Sequence, residues 1–128
     1  MIKLKRVYES TGKDDGKKFL VERLWPRGVK KTALADAIWL KDVAPSTDLR
    51  KWFGHDPNKW AEFQRRYRSE LKKDEVALEP ILHAARHGTV TLLYSSHDTQ
   101  HNNAVVLLDY LERKLGSGRQ SKRDKTAA

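Results

Sequence analysis

The sequence predicts a single α/β domain: a small parallel or mixed sheet in a three-layer arrangement, flanked by helices. Three observations carry this reading. TVTLLYSS at 89–96 is a nearly continuous apolar run bounded by Gly88 and by polar residues. A strand covered on both faces reads this way. KFLVERL at 18–24 is a second compact apolar run. Between the two, Trp60, Phe63, Tyr67 and Leu71 recur at helical spacing, so that strands are separated by helices. A chain of 128 residues is enough for one domain and hardly two.

The elements follow in order. IKLKRVY at 2–8 alternates apolar Ile2, Leu4 and Val7 with basic residues and predicts a strand, its phase slipping at Arg6. STGKDDGKK at 10–18 is a turn-rich loop leading to the second strand, 18–24. KKTALADAIWL at 30–40 predicts a short helix with Thr32 as its cap. WLKDVA at 39–44 reads as a short strand or an extended link into Pro45. PSTDLRKWFG predicts a helix capped by Ser46 and stopped by Gly54. Asp56 and Pro57 open the next helix, which buries Trp60, Phe63, Tyr67 and Leu71. EVALEPILHAARHG is a further helix, restarted or kinked at Pro80 and closed by Gly88. After the strand at 89–96, HDTQHNNAVVLLDYLERKL predicts a final helix with Asp98 as cap and Val105, Leu108, Leu111 and Leu115 as its buried stripe.

The composition breaks only after Leu115. The domain therefore takes residues 1–115, and GSGRQSKRDKTAA at 116–128 reads as a disordered basic tail with almost nothing to bury. The whole chain carries a net charge of +9 and stays basic without that tail. Such a balance favours anionic partners, whether phosphates, nucleotides or nucleic acid. With no cysteine there is no disulfide, no thiolate nucleophile and no cysteine-held metal. No apolar run approaches the roughly 20 residues that span a bilayer, and MIKLKRVYES is too charged for a secretory leader. The reading is a cytoplasmic protein with no membrane partner; the sequence sets no oligomeric state.

In open α/β sheets ligands sit outside the carboxyl ends of the strands. Two such ends hold chemistry-bearing residues. RLWPRG brings Arg23, Trp25, Arg27 and Gly28 together after the second strand. Arginine offers a planar fork of donors that matches phosphate or carboxylate, and Trp25 could stack on a base. The alternative is a rigid corner, with Trp25 buried and the arginines paired to Glu22 or Asp42. YSSHDTQHNN follows the late strand and offers Tyr94 as an acid–base group and Ser95 as a phosphate holder, or else an ordinary polar loop and cap. A third candidate is the helix start at Ser46, with Arg50 four residues on, or else a plain capped helix. His83/His87 and His97/His101 have i,i+4 spacing but no local third ligand, so no metal site is assigned. No phosphate-binding glycine loop, nucleophile elbow or paired-carboxylate signature is present. Arg65, Arg66 and Arg68 form a basic helix face, usually just solvated, through which nucleic-acid binding is an alternative.

Together these segments resemble a known family. RVYE at 6–9, LVERLWPRG at 20–28, APSTDLRKWFGHDP at 44–57, FQRRYRSEL at 63–71, TLLYSSHD at 91–98 and NNAVVL at 102–107 are similar to motifs of the domain-of-unknown-function 488 family, the YeaO-like bacterial proteins. Glu9 and Glu22 stand where the family pattern usually has aspartate, and Asn103 where it has histidine. The first two keep their charge; the third removes a titratable group. The resemblance implies a small cytoplasmic α/β domain with no known cofactor. The sequence thus predicts a strand-end pocket for an anionic, nucleotide-like small molecule, as a binder or an enzyme. Arg23, Trp25 and Arg27 would form one wall, and Ser46, Arg50, Tyr94 and Ser95 the other. A nucleic-acid-binding module using the basic surface and tail is the alternative.

Overall fold

The computed structural model describes residues 1–127, with side chains described through Gly116. Of the tail expected to be disordered, 116–128, all but Gly116 lies outside those described side chains. Four strands, β1 (Ile2–Arg6), β2 (Lys17–Leu20), β3 (Ala37–Trp39) and β4 (Val90–Tyr94), form one sheet in the order β1-β4-β2-β3. All pairings are parallel, so the fold is the expected single α/β domain. β4 lies between β1 and β2, and each of its five residues is buried. This is why its sequence shows no polar alternation.

The helices are α1 (Thr47–Phe53), α2 (Trp60–Lys73), α3 (Glu79–His87) and α4 (Asn103–Ala127). The main core gathers Phe19, Leu92 and Tyr94 from the sheet, Val21 just after β2, Phe53 from α1, Phe63, Tyr67 and Leu71 from α2, and Ile81 from α3. Burial of each such side chain contributes about 1.5–3 kcal/mol. The other sheet face presents Leu20 and Leu93, covered by Leu34, Trp25, Val29 and Trp39. This layer is thinner. It is built from the chain between β2 and β3, with one 3-10 turn at Lys31–Leu34.

Several local expectations shift. The helix expected over 30–40 is that 3-10 turn followed by the edge strand β3, and Thr32 makes no cap bond. Pairing with β2 outweighs the local helical pattern, since a strand edge left bare would orphan its backbone groups. The residues 41–43, expected as strand or link, form another 3-10 turn. Asp56 and Pro57 open a 3-10 turn, Pro57–Lys59, that feeds α2, and the Asp56 carboxylate accepts from Asn58 N–H at 3.0 Å. Pro80 sits in the first turn of α3, after a 3-10 turn at Glu75–Leu78, so the expected restart is present. α4 begins at Asn103, not at Asp98. Asn102 Oδ1 accepts from Val105 N–H at 3.1 Å and acts as its cap, while Asp98 closes a turn on Gln100 and His101. The buried stripe of α4 is consequently Ala104, Leu107 and Leu111 with Val106; Leu108 and Leu115 are only partly covered, and Val105 lies outside it.

At the amino-terminal end of the sheet, Gly16 has φ +62°. A Cβ there would stand 2.0 Å from Thr89 O. Beside it Asp15 is 2% exposed and accepts from Gly12 N–H and from Lys5 Nζ, and its carbonyl accepts from Thr91 Oγ. Those contacts hold the loop 10–16 against β4. The Gly12 N–H and the Lys5 ammonium keep the Asp15 carboxyl below its usual value.

Candidate functional site: a cleft at the carboxyl ends of β2 and β4

Adjacent parallel strands β2 and β4 end side by side, and the residues that follow them meet. Val21 N–H still bonds Leu93 O at 3.1 Å. One residue later, Glu22 Oε1 accepts from both Ser95 N–H at 2.8 Å and Ser95 Oγ–H at 3.0 Å. Beyond this junction opens a hollow of about 400 Å³. Its walls come from residues 22–27, from the end of α1 and the residues after it (Arg50, Lys51, Phe53, Gly54, His55), and from Ser95, Ser96, Asn102 and Asn103. A second, outer hollow of about 600 Å³ shares Arg27, His55, Ser95 and Ser96 with it and extends to His97 and Asp98.

Residues of the first wall have different roles. Arg23 is a strap: its Nε donates to Pro45 O at 3.2 Å and its Nη2 to Ala44 O at 3.1 Å, with Asp42 4.0 Å from Nη1. Trp25 donates Nε1–H to Val29 O at 2.7 Å and meets Trp39 edge-on at 5.2 Å. Its ring therefore closes the smaller core as well as lining the hollow. Between them the chain makes a turn in which Val29 N–H approaches Pro26 O at 3.4 Å. Gly28 at φ +77° takes the position that side chains avoid. Tyr8 OH donates to Arg27 O at 3.0 Å and fixes the same turn from outside. Arg27 stands at its tip, exposed, and its side chain has no hydrogen-bond or ion-pair partner among the described residues. The rigid-corner alternative thus describes Arg23 and Trp25, and it does not describe Arg27.

On the other side, Arg50 and Lys51 also line the hollow without side-chain partners among the described residues. Ser95 is present but faces Glu22. Ser46 and Tyr94 do not line it. Ser46 Oγ caps α1 by accepting from Leu49 N–H at 3.2 Å and donates to Glu70 at 2.6 Å. Tyr94 is 4% exposed in the main core, where burial raises its phenol above the ordinary value. Arg6, at the end of β1, donates Nε–H to Ser96 O at 2.9 Å and holds the loop after β4 in place.

Glu22 and His55 are the functional candidates that sequence reasoning missed. Glu22 is largely desolvated. Burial pushes its carboxyl above the usual value, against the opposing effects of the Ser95 bonds and the nearby His55 and Arg50 charges. Its Oε2 accepts from no described residue. His55 has φ +59°, the only positive φ at a non-glycine residue among those described, and follows Gly54 at φ +53°. Two successive left-handed residues turn the chain sharply after α1 and bring His55 to the rim. Asn103, where the family pattern has histidine, donates Nδ2–H to Val21 O at 2.7 Å and braces the β2 end. The basic face of α2 is offset only in part: Arg65 and Arg66 share Glu62, whose carboxyl falls to about 2 as a result, and Arg68 shares Asp109 with Arg113.

Fold and site together define a small parallel α/β domain with a basic strand-end cleft. By its match over residues 1–127, the chain belongs to the inactive DUF488-N3 subclade. It is 44% identical over 110 residues to the uncharacterised protein YeaO of Escherichia coli (strain K12), a match covering 86% of this chain and 96% of that one. Uncharacterised proteins Rv3073c of Mycobacterium tuberculosis (strain H37Rv) and Mb3100c of Mycobacterium bovis are each 38% identical over 110 residues, covering 86% of this chain and 92% of theirs. No solved structure matches the chain. No described helix is long and apolar enough to cross a membrane.

Proposed function

We propose that the protein binds a phosphorylated, nucleotide-sized small molecule in the cleft at the carboxyl ends of β2 and β4, and that it does so without turnover. The observation that carries this reading is the set of cations around one hollow. Arg27, Arg50 and Lys51 line about 400 Å³ of space and have no side-chain partners among the described residues. Guanidinium forks suit phosphate oxygens, and the volume falls in the range of small-molecule sites. Leu24, Pro26, Phe53 and Trp25 give apolar wall for a ring. Membership in a subclade described as inactive supports binding over catalysis. So does the placement of Tyr94 in the core, away from the hollow. In this reading Arg27 and Arg50 hold the anion, Arg23 and Trp25 fix the wall, and Ser95 positions Glu22.

A thermal-shift screen tests it. Nucleotides, sugar phosphates, simple oxyanions and a short oligonucleotide are each added at low and high salt, to the parent and to Arg27→Ala. A small phosphorylated ligand should raise the parent's Tm and leave that of Arg27→Ala unmoved. If only the oligonucleotide acts, and only at low salt, counterion release is the cause and the protein is a nucleic-acid binder.

A further inference from the structure

We infer that the cleft selects a sugar phosphate unit, with Glu22 reading a sugar hydroxyl while the cationic rim takes the phosphate. The inference rests on the phosphorylated-ligand reading and adds which part of the ligand meets the floor of the hollow.

An ionised carboxylate only accepts hydrogen bonds. Glu22 Oε1 already receives two, from Ser95 N–H and Ser95 Oγ–H. Oε2 receives none from any described residue, and Glu22 lines the hollow. A partly desolvated acceptor of this kind is satisfied by a donor on whatever occupies the space. Three donor classes are available: a cationic ammonium, a neutral N–H such as a base carries, and a neutral hydroxyl. The surroundings exclude the first, and of the other two the hydroxyl is the one a sugar phosphate places next to its phosphate. Arg23, Arg27, Arg50 and Lys51 line the same hollow, against the single carboxylate of Glu22. An ammonium would enter a field dominated by like charge. A neutral hydroxyl meets no such penalty, and an anion linked to it satisfies the cations that lack partners. A hydroxyl-bearing ring next to a phosphate has both features in one molecule. The two Ser95 bonds aim the carboxylate before any ligand arrives, and such preorganisation is what makes a hydrogen bond selective.

The test is titration calorimetry of the full chain with the four ribonucleoside 5′-monophosphates and their 2′,3′-dideoxy counterparts. Within each pair the base and phosphate are the same and only the sugar hydroxyls differ. At least one ribonucleotide should bind about ten- to a hundredfold tighter than its dideoxy partner, the span of one hydrogen bond to a charged group. Glu22→Gln keeps an oxygen for Ser95 but turns a donor toward the hollow, so the preference should fall to about threefold or less. Arg27→Ala should weaken both members of a pair alike. Equal affinity for ribo and dideoxy ligands, or a preference that survives Glu22→Gln in a variant with parental Tm, overturns the role of Glu22 and leaves the phosphate reading standing. Binding of none of the eight overturns both.

Discussion

At the amino-terminal end of the sheet, the charged groups around Asp15 have partners inside the fold. Asp15, 2% exposed, holds Gly12 N–H and Lys5 Nζ, with Lys3 3.8 Å away. Gly16 is pressed so closely on Thr89 that no side chain fits. At the carboxyl-terminal end of the same strands, Glu22 Oε2, Arg27, Arg50 and Lys51 have no side-chain partners among the described residues. His55 holds a left-handed backbone there as well. Both ends contain a buried or half-buried acid, but the two are perturbed in opposite directions. Hydrogen bonds and lysines lower Asp15, whereas desolvation raises Glu22. One end is arranged for stability. At the other, Glu22 is desolvated while Arg27, Arg50 and Lys51 stand exposed to solvent around one hollow.

The largest expected effect tests the rigid end. Gly16→Ala meets both the positive φ and the contact with Thr89 O, and should cost about 3 kcal/mol or more of unfolding free energy in a denaturant titration. An effect within the range of an ordinary surface change would mean that the amino-terminal end is not rigid.

Asp15→Asn comes next, and pH gives its signature. Because Asp15 is held below its ordinary value of 3.8, its stabilisation is present above that pH and lost as the pH falls through the lower, folded-state value. The variant's Tm deficit should therefore be full at pH 7 and shrink below pH 4. A deficit independent of pH would point to packing instead of charge.

Glu22→Gln should show the opposite dependence. A carboxyl raised above its ordinary value of 4.5 binds its proton more tightly folded than unfolded. Folding then loses stability as pH rises from the unfolded value through the folded one. The neutral isostere escapes that loss, so at pH 7 its Tm should equal or slightly exceed the parent's, with the advantage vanishing below pH 4. A clear loss of Tm at pH 7 would place Glu22 with Asp15 as a structural acid.

The smallest effect belongs to Arg27→Ala, which should change unfolding free energy by no more than about 0.5 kcal/mol, as befits an exposed side chain at a turn tip. A larger loss would return Arg27 to scaffolding alongside Arg23.

Much of this architecture was legible in the residues. The unbroken apolar run of β4, the face of Phe63, Tyr67 and Leu71 on α2, and the Ser46 cap are local patterns, and local physics sustains them. The helical pattern over 30–40 is overruled by strand pairing with β2, and sequence spacing carries no trace of that contact. The site shows the same division. RLWPRG announced itself through its unusual composition, and Arg27 and Arg50 do reach one hollow. Glu22 did not stand out, because what distinguishes it is Ser95, 73 residues away. His55 left a fainter signal in GHDP, where a helix-stopping glycine is followed by a residue that must turn with it. Ser46 and Tyr94 are of residue types that suit such a site, and their side chains are engaged in a cap and in the core.

The most direct test is a backbone amide NMR titration of the ¹⁵N-labelled chain with the phosphorylated ligand that gives the largest thermal shift. The account predicts that the shifts cluster on Glu22–Gly28, on Gly54–His55 and on Ser95–Ser96, leaving Asp15–Lys17 at the far end of the strands unmoved. Shifts concentrated on α2 and α4, or spread evenly over the basic surface, would contradict it.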